Sequence, residues 1–488
     1  MSLPVLHLII DDQGELPRFA AEFADVQRFG DLLRRRRSMV AAINELADAS
    51  GLEPPLRLPE DERQLLRTLS ARGSDRRLFL ILPTCLASTA ADADAVLFLR
   101  KLALLTEPTS LWRGRVPSGA VVIDEAGLAE YLQLPAEATE RWRQHQSARL
   151  PAIDDGLRLA DLREPTALLE YLSGSFAARH FNEVTQERWV VVKRSSDVDK
   201  MRREYRYYGL LPERLQPYFV QPFDFAEDEG GASYRMHRIL VPDLAVQWIH
   251  HAFSPEQFDR LLEQLMRFVD EREVRAVGDD RGREIADHLY GAKVEERITA
   301  FLATDVGRDT DALLAAGGRR GGLRSLQQRY NALRASLEQD RAFGHLAITH
   351  GDLCFSNVLF NPAGRSVHLI DPRGADTVDE LFSDPYYDLA KLSHSICGGY
   401  DLIVAEQTRP AIGQGLELGL VADHEPDPEL PELFRTRLAE RGFDPTLVRL
   451  YEASLFLSML PLHIDEPTRV LALALRGAQI LDQLESTQ

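Results

Sequence analysis

Residues 348–360, ITHGDLCFSNVLF, carry the strongest structural and chemical signal in the chain. A strand-like apolar run is interrupted there by His350-Gly351-Asp352, and Asn357 follows the aspartate five residues later. One interpretation is a loop that directs a carboxylate and an amide toward one reacting centre. The other is an ordinary turn in which an Asp or Asn side chain caps the backbone. The rest of the chain has to distinguish these two interpretations.

Length and composition bound the class of protein. The chain has 488 residues, too many for one ordinary hydrophobic core, so two or three domains are expected. Its formal charge of -19 argues against general nucleic-acid binding, which needs a basic surface. That charge says little about a small substrate, because a cleft can differ from the global balance.

Cysteine usage and hydropathy indicate a cytoplasmic protein without a membrane span. Cys85, Cys354 and Cys397 show no metal-ligand spacing and do not form a disulfide framework. No apolar stretch approaches the roughly 20 residues that a membrane-spanning helix needs, and the first apolar run is too short for a signal peptide. The sequence does not indicate an oligomeric state.

Residues 1–150 are predicted to form a small α/β domain. Short apolar runs typical of buried strands occur at 5–10, 77–83 and 120–125. Helical patterns between them cover 17–48 and 91–105, with the RRRR at 34–37 on a solvated face of the first helix. The first strand is not followed by a glycine-rich phosphate loop. The boundary is placed in the charged loop at 151–165.

Two further domains are predicted after that boundary. Residues 151–245 are expected to form a small, mostly antiparallel lobe with a hairpin at 173–196, a helix at 197–211 and two more strands. Residues 246–488 are largely helical and open with a capping-box signal, Ser254 and Gln257.

Phosphoryl transfer from ATP requires few protein groups, and each has a candidate here. The reaction needs a cation on the phosphates, magnesium ligands, and a carboxylate that orients the attacking hydroxyl. Asp352 is well placed as that carboxylate. A hairpin joining NVLF (357–360) to VHLI (367–370) would return Asp371 beside Asn357. Their side chains offer the hard oxygen atoms that magnesium prefers.

A lysine and a glutamate upstream complete this set. Lys193 ends the strand WVVVK, and Glu204 lies eleven residues later on the following helix. If that helix packs on the strand, Glu204 pairs with Lys193 and directs its ammonium group at phosphate. The alternatives are a lysine that extends to solvent from a strand end, and a surface pair between Glu204 and nearby arginines.

The pattern HGDLCFSNVLF…LIDPRG resembles the H-G-D-x-x-x-x-N…I-D signature of the aminoglycoside phosphotransferase and choline kinase family, which is related to protein kinases. The resemblance covers roughly residues 166–488. It implies an α+β, two-lobed protein kinase-like fold behind the N-terminal α/β domain, with ATP and Mg²⁺ as cofactors. It further implies that Asp352 is the catalytic base, that Asn357 and Asp371 bind magnesium, and that Lys193 and Glu204 form the phosphate-gripping ion pair.

One neighbouring segment and the combined pattern extend the resemblance. SDPYYDLAKLSHSI (383–396) is similar to a D-x-x-x-D-L-A segment of such kinases, in which Asp384 and Asp388 would cap or brace helices near the active loop. The combined pattern also looks like kinase-like domains of bacterial capsule and surface-polysaccharide gene products, some of which carry a sugar nucleotidyltransferase-like domain in front. Residues 1–150 are interpreted as a degenerate relative of that domain, without its Gly-rich, Arg-containing opening loop.

Several residues keep two interpretations. Ser173-Gly174-Ser175 either covers the phosphates through backbone N–H groups or forms a plain hairpin turn. Backbone groups around Ile239 are expected at the lobe hinge, against adenine. Arg373 either contacts an anionic substrate or forms a salt bridge, and the salt bridge is preferred.

The sequence therefore predicts an ATP- and Mg-dependent phosphotransferase that acts on a hydroxyl of a small molecule. The acceptor is expected to be a sugar, an amino alcohol or a surface-polysaccharide precursor. The alternative function is a nucleotide-binding pseudokinase or regulatory module with little turnover.

Overall fold

The computed structural model describes residues 4–34, 37–62, 64–66, 76–173, 183–186, 189–317, 321–413, 417–423 and 427–487. It divides the chain into two compact units, Met1–Phe176 and Ala177–Gln488. Among the described residues, no helix combines the length and the apolar character that crossing a membrane requires.

The N-terminal unit is built around a six-stranded mixed sheet in the order β4-β1-β5-β8-β7-β9. β1 is parallel to β4 and β5, whereas β8 runs antiparallel to β5 and β7. The strands of this unit are β1 (Val5–Asp11), β2 (Leu33–Arg34), β3 (Arg37–Ser38), β4 (Leu56–Leu58), β5 (Arg77–Pro83), β6 (Leu86–Ser88), β7 (Thr109–Arg113), β8 (Val116–Ile123), β9 (Ala152–Asp154) and β10 (Leu159–Asp161).

The central strands of this sheet are buried, as their continuous apolar sequences require. Side chains from β1, β5 and β8 pack with Tyr131 and Trp142 in one core cluster. The helices of this unit include Met39–Ser50, Asp92–Leu102, Glu125–Tyr131, Ala136–Ser147 and Pro165–Ser173.

The long helix predicted at 17–48 is wrong. Short 3-10 turns at Arg18–Glu22 and Phe29–Asp31 occupy its first half. The N–H of Gly30 donates to the buried carboxylate of Asp12 at 2.9 Å, so the chain is held in a turn there. A sequence pattern could not reveal this contact, because the two residues meet only in the folded unit.

The helix starts only at Met39, where the hydroxyl of Ser38 caps it by accepting from the N–H of Ala41 at 3.1 Å. Arg34 and Arg37 were predicted on a solvated helix face, and they lie instead in the short paired strands β2 and β3. Two extended arginines therefore precede the helix.

The segment after residue 150 belongs to the N-terminal unit. β9 pairs with β7, and β10 pairs with β6, so residues 152–161 complete sheets that begin earlier in the chain. The sequence placed the boundary within 151–165, whereas the compact unit continues to Phe176. Short strands of three residues give too weak a periodic pattern to be recognised in a charged loop.

The second unit begins with a four-stranded antiparallel sheet in the order β11-β12-β14-β13. Its strands are β11 (Glu183–Gln186), β12 (Val190–Ser195), β13 (Pro222–Asp228) and β14 (Gly231–His237). The helix Val198–Leu210 follows β12, and Met201 from this helix packs with Ala232, Tyr234 and Met236 of β14. Its cap is Asp197, whose carboxylate accepts from the N–H of Lys200 at 3.0 Å.

The remainder of this unit is mainly helical. Its helices are Leu244–Ile249, Pro255–Glu271, Asp279–Ala286, a π-helical turn at Asp287–Ala292, Lys293–Leu302, Asp305–Ala316, Leu323–Leu337, Tyr387–Ile396, Tyr400–Val404, Glu429–Ala439, Pro445–Ser458 and Pro467–Ser486. The capping box predicted at Ser254 and Gln257 is present. The α+β, two-lobed protein kinase-like fold predicted from the sequence is thereby confirmed.

Short strands between these helices position the polar loop of the opening stretch. They are β15 (Val274–Ala276), β16 (His345–Ile348), β17 (Val358–Asn361), β18 (Ser366–Leu369), β19 (Phe382–Ser383), β20 (Thr408–Ile412) and β21 (Leu418–Ala422). β16 leads into that loop, and the hairpin β17–β18 leads out of it, with Val358 opposite Leu369. The N–H of Val220 also donates to the carbonyl of Leu369 at 3.1 Å, which joins the hairpin to the segment before β13.

Candidate active site

The segment His350–Asn357, called here the HGD loop, is held in shape by a buried aspartate on another helix. Asp388 is fully buried, and its two carboxylate oxygens accept from the backbone N–H groups of His350 (2.8 Å) and Gly351 (2.9 Å). The guanidinium of Arg272, also buried, lies 3.5 Å from the same carboxylate. Asp388 therefore fixes the backbone at the start of the loop, whereas the resemblance indicated a role in capping or bracing the helices near it.

His350 acts within this loop as a neutral structural side chain. Its Nε2 lies 2.9 Å from the carbonyl of Ile370, and its Nδ1 lies 3.2 Å from the N–H of Asp352. A neutral ring with its proton on Nε2 satisfies both contacts. Burial lowers the pKa of His350, which agrees with this form. The imidazole thus connects the HGD loop to the end of β18.

Asp388→Ala is expected to lower the free energy of unfolding by about 3–5 kcal/mol, because it leaves the buried Arg272 charge without its partner. The exchange of the His350 and Gly351 amides, followed by hydrogen–deuterium mass spectrometry, should accelerate together with that loss. Asp379→Ala is the matched control, since that carboxylate is 84% exposed in a surface pair with Arg275. Equal stability of the two variants would contradict the bracing role.

The carboxylate of Asp352 and the amide of Asn357 lie together in the loop. The Nδ2 of Asn357 donates to the carbonyl of Asp352 at 2.8 Å and to its Oδ2 at 3.2 Å. The Oδ1 of Asn357 accepts no hydrogen bond from the described residues. This arrangement turns the amide oxygen of Asn357 away from the carboxylate and leaves that oxygen available to coordinate a metal ion.

The hairpin returns Asp371 to Asn357, as the sequence indicated. The N–H of Ile370 donates to the carbonyl of Asn357 at 3.0 Å, so Asp371 is the next residue beyond that contact. Asp371 has a φ of 57°, a left-handed conformation that Asp and Asn tolerate better than most residues. Its carboxylate is about one-third exposed.

Lys193 lies at the centre of a three-residue charge cluster. Its Nζ is 2.7 Å from Glu204 and 3.0 Å from Asp371, and its side chain is buried. The hydroxyl of Tyr234 donates to Glu204 at 3.1 Å. Burial acts to lower the pKa of Lys193, but the carboxylates of Asp371 and Glu204 outweigh it and raise the pKa. The ammonium group is therefore charged, and the expected ion pair with Glu204 is present.

Gly374 lets the segment after Asp371 approach the Glu204 helix closely. Its φ is +84°, and a side chain there would place a Cβ 2.7 Å from the backbone nitrogen of Glu204 and 2.8 Å from the carbonyl carbon of Arg203. The N–H of Ala375 donates to the carbonyl of Arg203 at 3.1 Å. Glycine is needed here because backbone meets backbone.

Sequence reasoning missed Lys391, which contacts the Asp352 carboxylate. The Nζ of Lys391 is 2.8 Å from Oδ1 of Asp352. Burial opposes the charge of Lys391, but Asp352 raises its pKa, so the ammonium group is retained. The signal was available in the sequence: Lys391 follows Asp388 by three residues, so both side chains share one helix face.

The sequence predicted nucleotide contacts at residues 173–175 and at Ile239, and the structure describes only some of these residues. Gly174 and Ser175 lie outside the described residues. Ser173 is the last residue of the helix Pro165–Ser173 rather than part of a hairpin. Ile239 lies between β14 and the next helix, where its carbonyl accepts from the N–H of Val241 at 3.0 Å. The roles of these residues in ATP binding stay predictions.

Comparison with known proteins finds one matching family and several similar solved structures. A family model described as "Phosphotransferase enzyme family" matches residues 168–425. No curated protein matches the sequence.

Three solved structures are similar at low sequence identity. The choline kinase LicA from Streptococcus pneumoniae is 14% identical with a TM-score of 0.37, covering 63% of this chain and 92% of its own. The aminoglycoside phosphotransferase APH(3'')-Id from Streptomyces rimosus is 16% identical with a TM-score of 0.32, covering 59% and 92%. A thermostable mutant of aminoglycoside phosphotransferase APH(4)-Ia, in complex with AMP-PNP and hygromycin B, is 14% identical with a TM-score of 0.37, covering 66% and 98%.

Proposed function

Because the chain belongs to the phosphotransferase enzyme family, we propose that it transfers the γ-phosphoryl group of ATP, with Mg²⁺, to a hydroxyl group of a small molecule. One observation carries the proposal. A continuous set of contacts joins the HGD loop to the Lys193 cluster, through the hydrogen bond between Ile370 and Asn357 and the 3.0 Å contact between Lys193 and Asp371. Carboxylate, amide and ammonium groups thus surround one region, as phosphoryl transfer requires.

Asp352 orients the acceptor hydroxyl and accepts its proton. Its two oxygens are held by different groups, Oδ1 by Lys391 and Oδ2 by Asn357, so the plane of the carboxylate is fixed. A fixed carboxylate lowers the barrier mainly by positioning the hydroxyl in line with the phosphorus atom. The Asp388 brace contributes indirectly, since it sets the backbone that carries Asp352.

Lys193 binds the phosphates of ATP. An ammonium group has three donor hydrogens, and Glu204 and Asp371 occupy two directions around Lys193. The remaining direction is available to a phosphate oxygen. Glu204 positions Lys193, and Tyr234 holds Glu204 in turn.

The residues present fit a magnesium ion. Oδ1 of Asn357 and Oδ2 of Asp371 have no hydrogen-bond donor among the described residues, and both are hard oxygen ligands. Within the described part of the chain, no three Asp, Glu, His or Cys side chains cluster as a complete metal cage. Magnesium at such sites is typically held by one or two protein groups together with phosphates and water. Bound magnesium would neutralise the charge of the polyphosphate.

Mg-ATP is expected to raise the melting temperature of the protein, and ATP is expected to be consumed only when an acceptor is present. A ligand at a hundred times its Kd stabilises the folded state by about 2.7 kcal/mol, which a thermal-shift assay detects. ADP release should be measured over a panel of hydroxylated small molecules. Stabilisation without turnover over the whole panel would favour the pseudokinase alternative. The absence of both effects would refute the proposed function.

A further inference from the structure

Three cations lie beside Asp352, beside the HGD loop or beside the helix that carries Lys391. Lys391 contacts Oδ1 of Asp352 at 2.8 Å, while Asn357 contacts Oδ2. One turn before Lys391 on the same helix is Tyr387, and its hydroxyl accepts from Nζ of Lys293 at 3.1 Å. Lys293 has no carboxylate within ion-pair distance among the described residues.

The third cation is Arg373, next to the HGD loop. Its N–H donates to the carbonyl of His350 at 2.9 Å, and its Cβ lies 2.6 Å from the position that a Cβ on Gly351 would take. The side chain is exposed. No carboxylate in the described parts of the chain lies within ion-pair distance of it, so the preferred sequence interpretation, a salt bridge, is wrong. Lys293, Arg373 and Lys391 are called here the cationic cluster.

The charges of the cationic cluster act on the Tyr387 hydroxyl. Burial alone would raise the pKa of this tyrosine. The net shift is nevertheless downward, because the three members of the cationic cluster lower the pKa together. Four acids in the same stretch of chain are paired with arginines elsewhere: Asp376, Asp379, Glu380 and Asp384. Among the described residues, the one acidic side chain within ion-pair distance of the cluster is Asp352 itself.

Lysine is rare in this chain, and most of its lysines lie at the candidate active site. Arginine supplies nearly all the basic residues, and the lysines are Lys101, Lys193, Lys200, Lys293 and Lys391. Lys193 and Lys200 both lie near Glu204, at 2.7 and 3.8 Å. Lys293 and Lys391 belong to the cationic cluster. A lysine ammonium is a compact point charge, and four of the five in the chain lie in these two groups.

We propose that the acceptor is a hydroxylated small molecule that carries a negatively charged group of its own, a phosphate or a carboxylate, bound by the cationic cluster while the hydroxyl lies at Asp352. This inference rests on the proposed function and specifies its substrate class. In the described part of the chain, no carboxylate lies within ion-pair distance of Lys293 or Arg373, so these side chains attract an anion and repel a cation. Polycationic and quaternary ammonium acceptors are therefore disfavoured.

The reaction balances without another reactant. The acceptor hydroxyl oxygen forms a bond to the γ-phosphorus, and the bond from that phosphorus to the bridging oxygen of the β-phosphate breaks. The hydroxyl proton passes to Asp352, and ADP and a phosphomonoester are released. No oxidant or reductant is involved.

The test compares acceptors that differ in charge, using the full chain with Mg-ATP. The panel contains glucose as a neutral acceptor, choline and an aminoglycoside as cations, glucose 6-phosphate as a phosphate, and gluconate and glucuronate as carboxylates. At least one anionic acceptor is expected to exceed glucose tenfold or more in kcat/KM, and comparison within the panel tells whether phosphate or carboxylate is recognised. Neutral or cationic acceptors that match or exceed every anionic one would overturn the inference. Turnover of neutral or cationic acceptors would leave the proposed function intact. The proposed function itself would fail if Mg-ATP neither stabilised the protein nor was consumed with any acceptor.

Lys293→Gln tests the cluster directly. The variant is expected to raise KM for the anionic acceptor about tenfold or more, to leave KM for ATP unchanged, and to reduce the preference for the anionic over the neutral acceptor. Lys101→Gln is the matched control, because Lys101 is exposed on a helix of the N-terminal unit and should leave all constants unchanged. A thermal melt establishes that both variants fold. If KM for ATP rises instead, the cluster binds nucleotide phosphate and the inference is wrong.

Discussion

Asp352→Asn is expected to lower kcat about a thousandfold, within the range that loss of a general base produces. The variant amide keeps the size of the carboxylate, and its carbonyl oxygen can still accept from Lys391. It cannot take up the proton of the acceptor hydroxyl. Affinity for Mg-ATP should change little, because the proposed nucleotide contacts come from Lys193 and the Asn357–Asp371 pair.

The measurement is steady-state turnover together with calorimetric titration of Mg-ATP. Asp379→Asn removes a negative charge from an exposed side chain and serves as the control. Turnover at the wild-type rate by Asp352→Asn would refute the base assignment. A parallel loss of nucleotide binding would show that Asp352 acts on ATP rather than on the acceptor.

Asp371→Asn is expected to weaken magnesium-dependent ATP binding about a hundredfold. Losing even an outer-shell partner of a metal ligand typically costs 10–100-fold in affinity or activity, and Asp371 is proposed as a direct ligand. Asparagine is the informative substitution because it tolerates the positive φ of this position, so backbone strain does not add to the effect. The substitution also removes one of the two carboxylates beside Lys193.

Titrations of ATP with magnesium and with a chelator separate these effects. The wild-type protein and the variant should differ strongly with magnesium and only slightly with the chelator. An unchanged dependence on magnesium concentration would exclude Asp371 as a ligand. A large loss in both conditions would indicate that Asp371 acts through Lys193.

Much of the second unit could be predicted because its signals are local. The helix predicted at 197–211 occupies Val198–Leu210, since an aspartate cap fixes its start. The hairpin between Asn357 and Asp371 follows from two short apolar runs around a polar turn. Spacing in the sequence then sufficed to place Asn357 and Asp371, the proposed magnesium ligands, at one end of that hairpin.

Other features depend on contacts between distant segments and left no such signal. The chain near Gly30 is held by Asp12, so a helical pattern did not become a helix. The short strand β15 pairs with β16, whose residues lie about 70 positions later, and β16 pairs with β19 about 35 positions later; their few side chains carry no clear alternation. Lys391 is a different case: it lies outside the H-G-D-x-x-x-x-N motif, and only its spacing from Asp388 on the following helix indicates that it faces the loop.

The close approach at Gly374 has a consequence for control of the enzyme. The backbone of Arg203 is fastened to the segment after Asp371, and the Lys193 ammonium bridges the same two elements. An outward swing of the Glu204 helix would break all of these links at once. We therefore expect the helix to keep this position without an activating modification, so that turnover depends on the amounts of protein and acceptor.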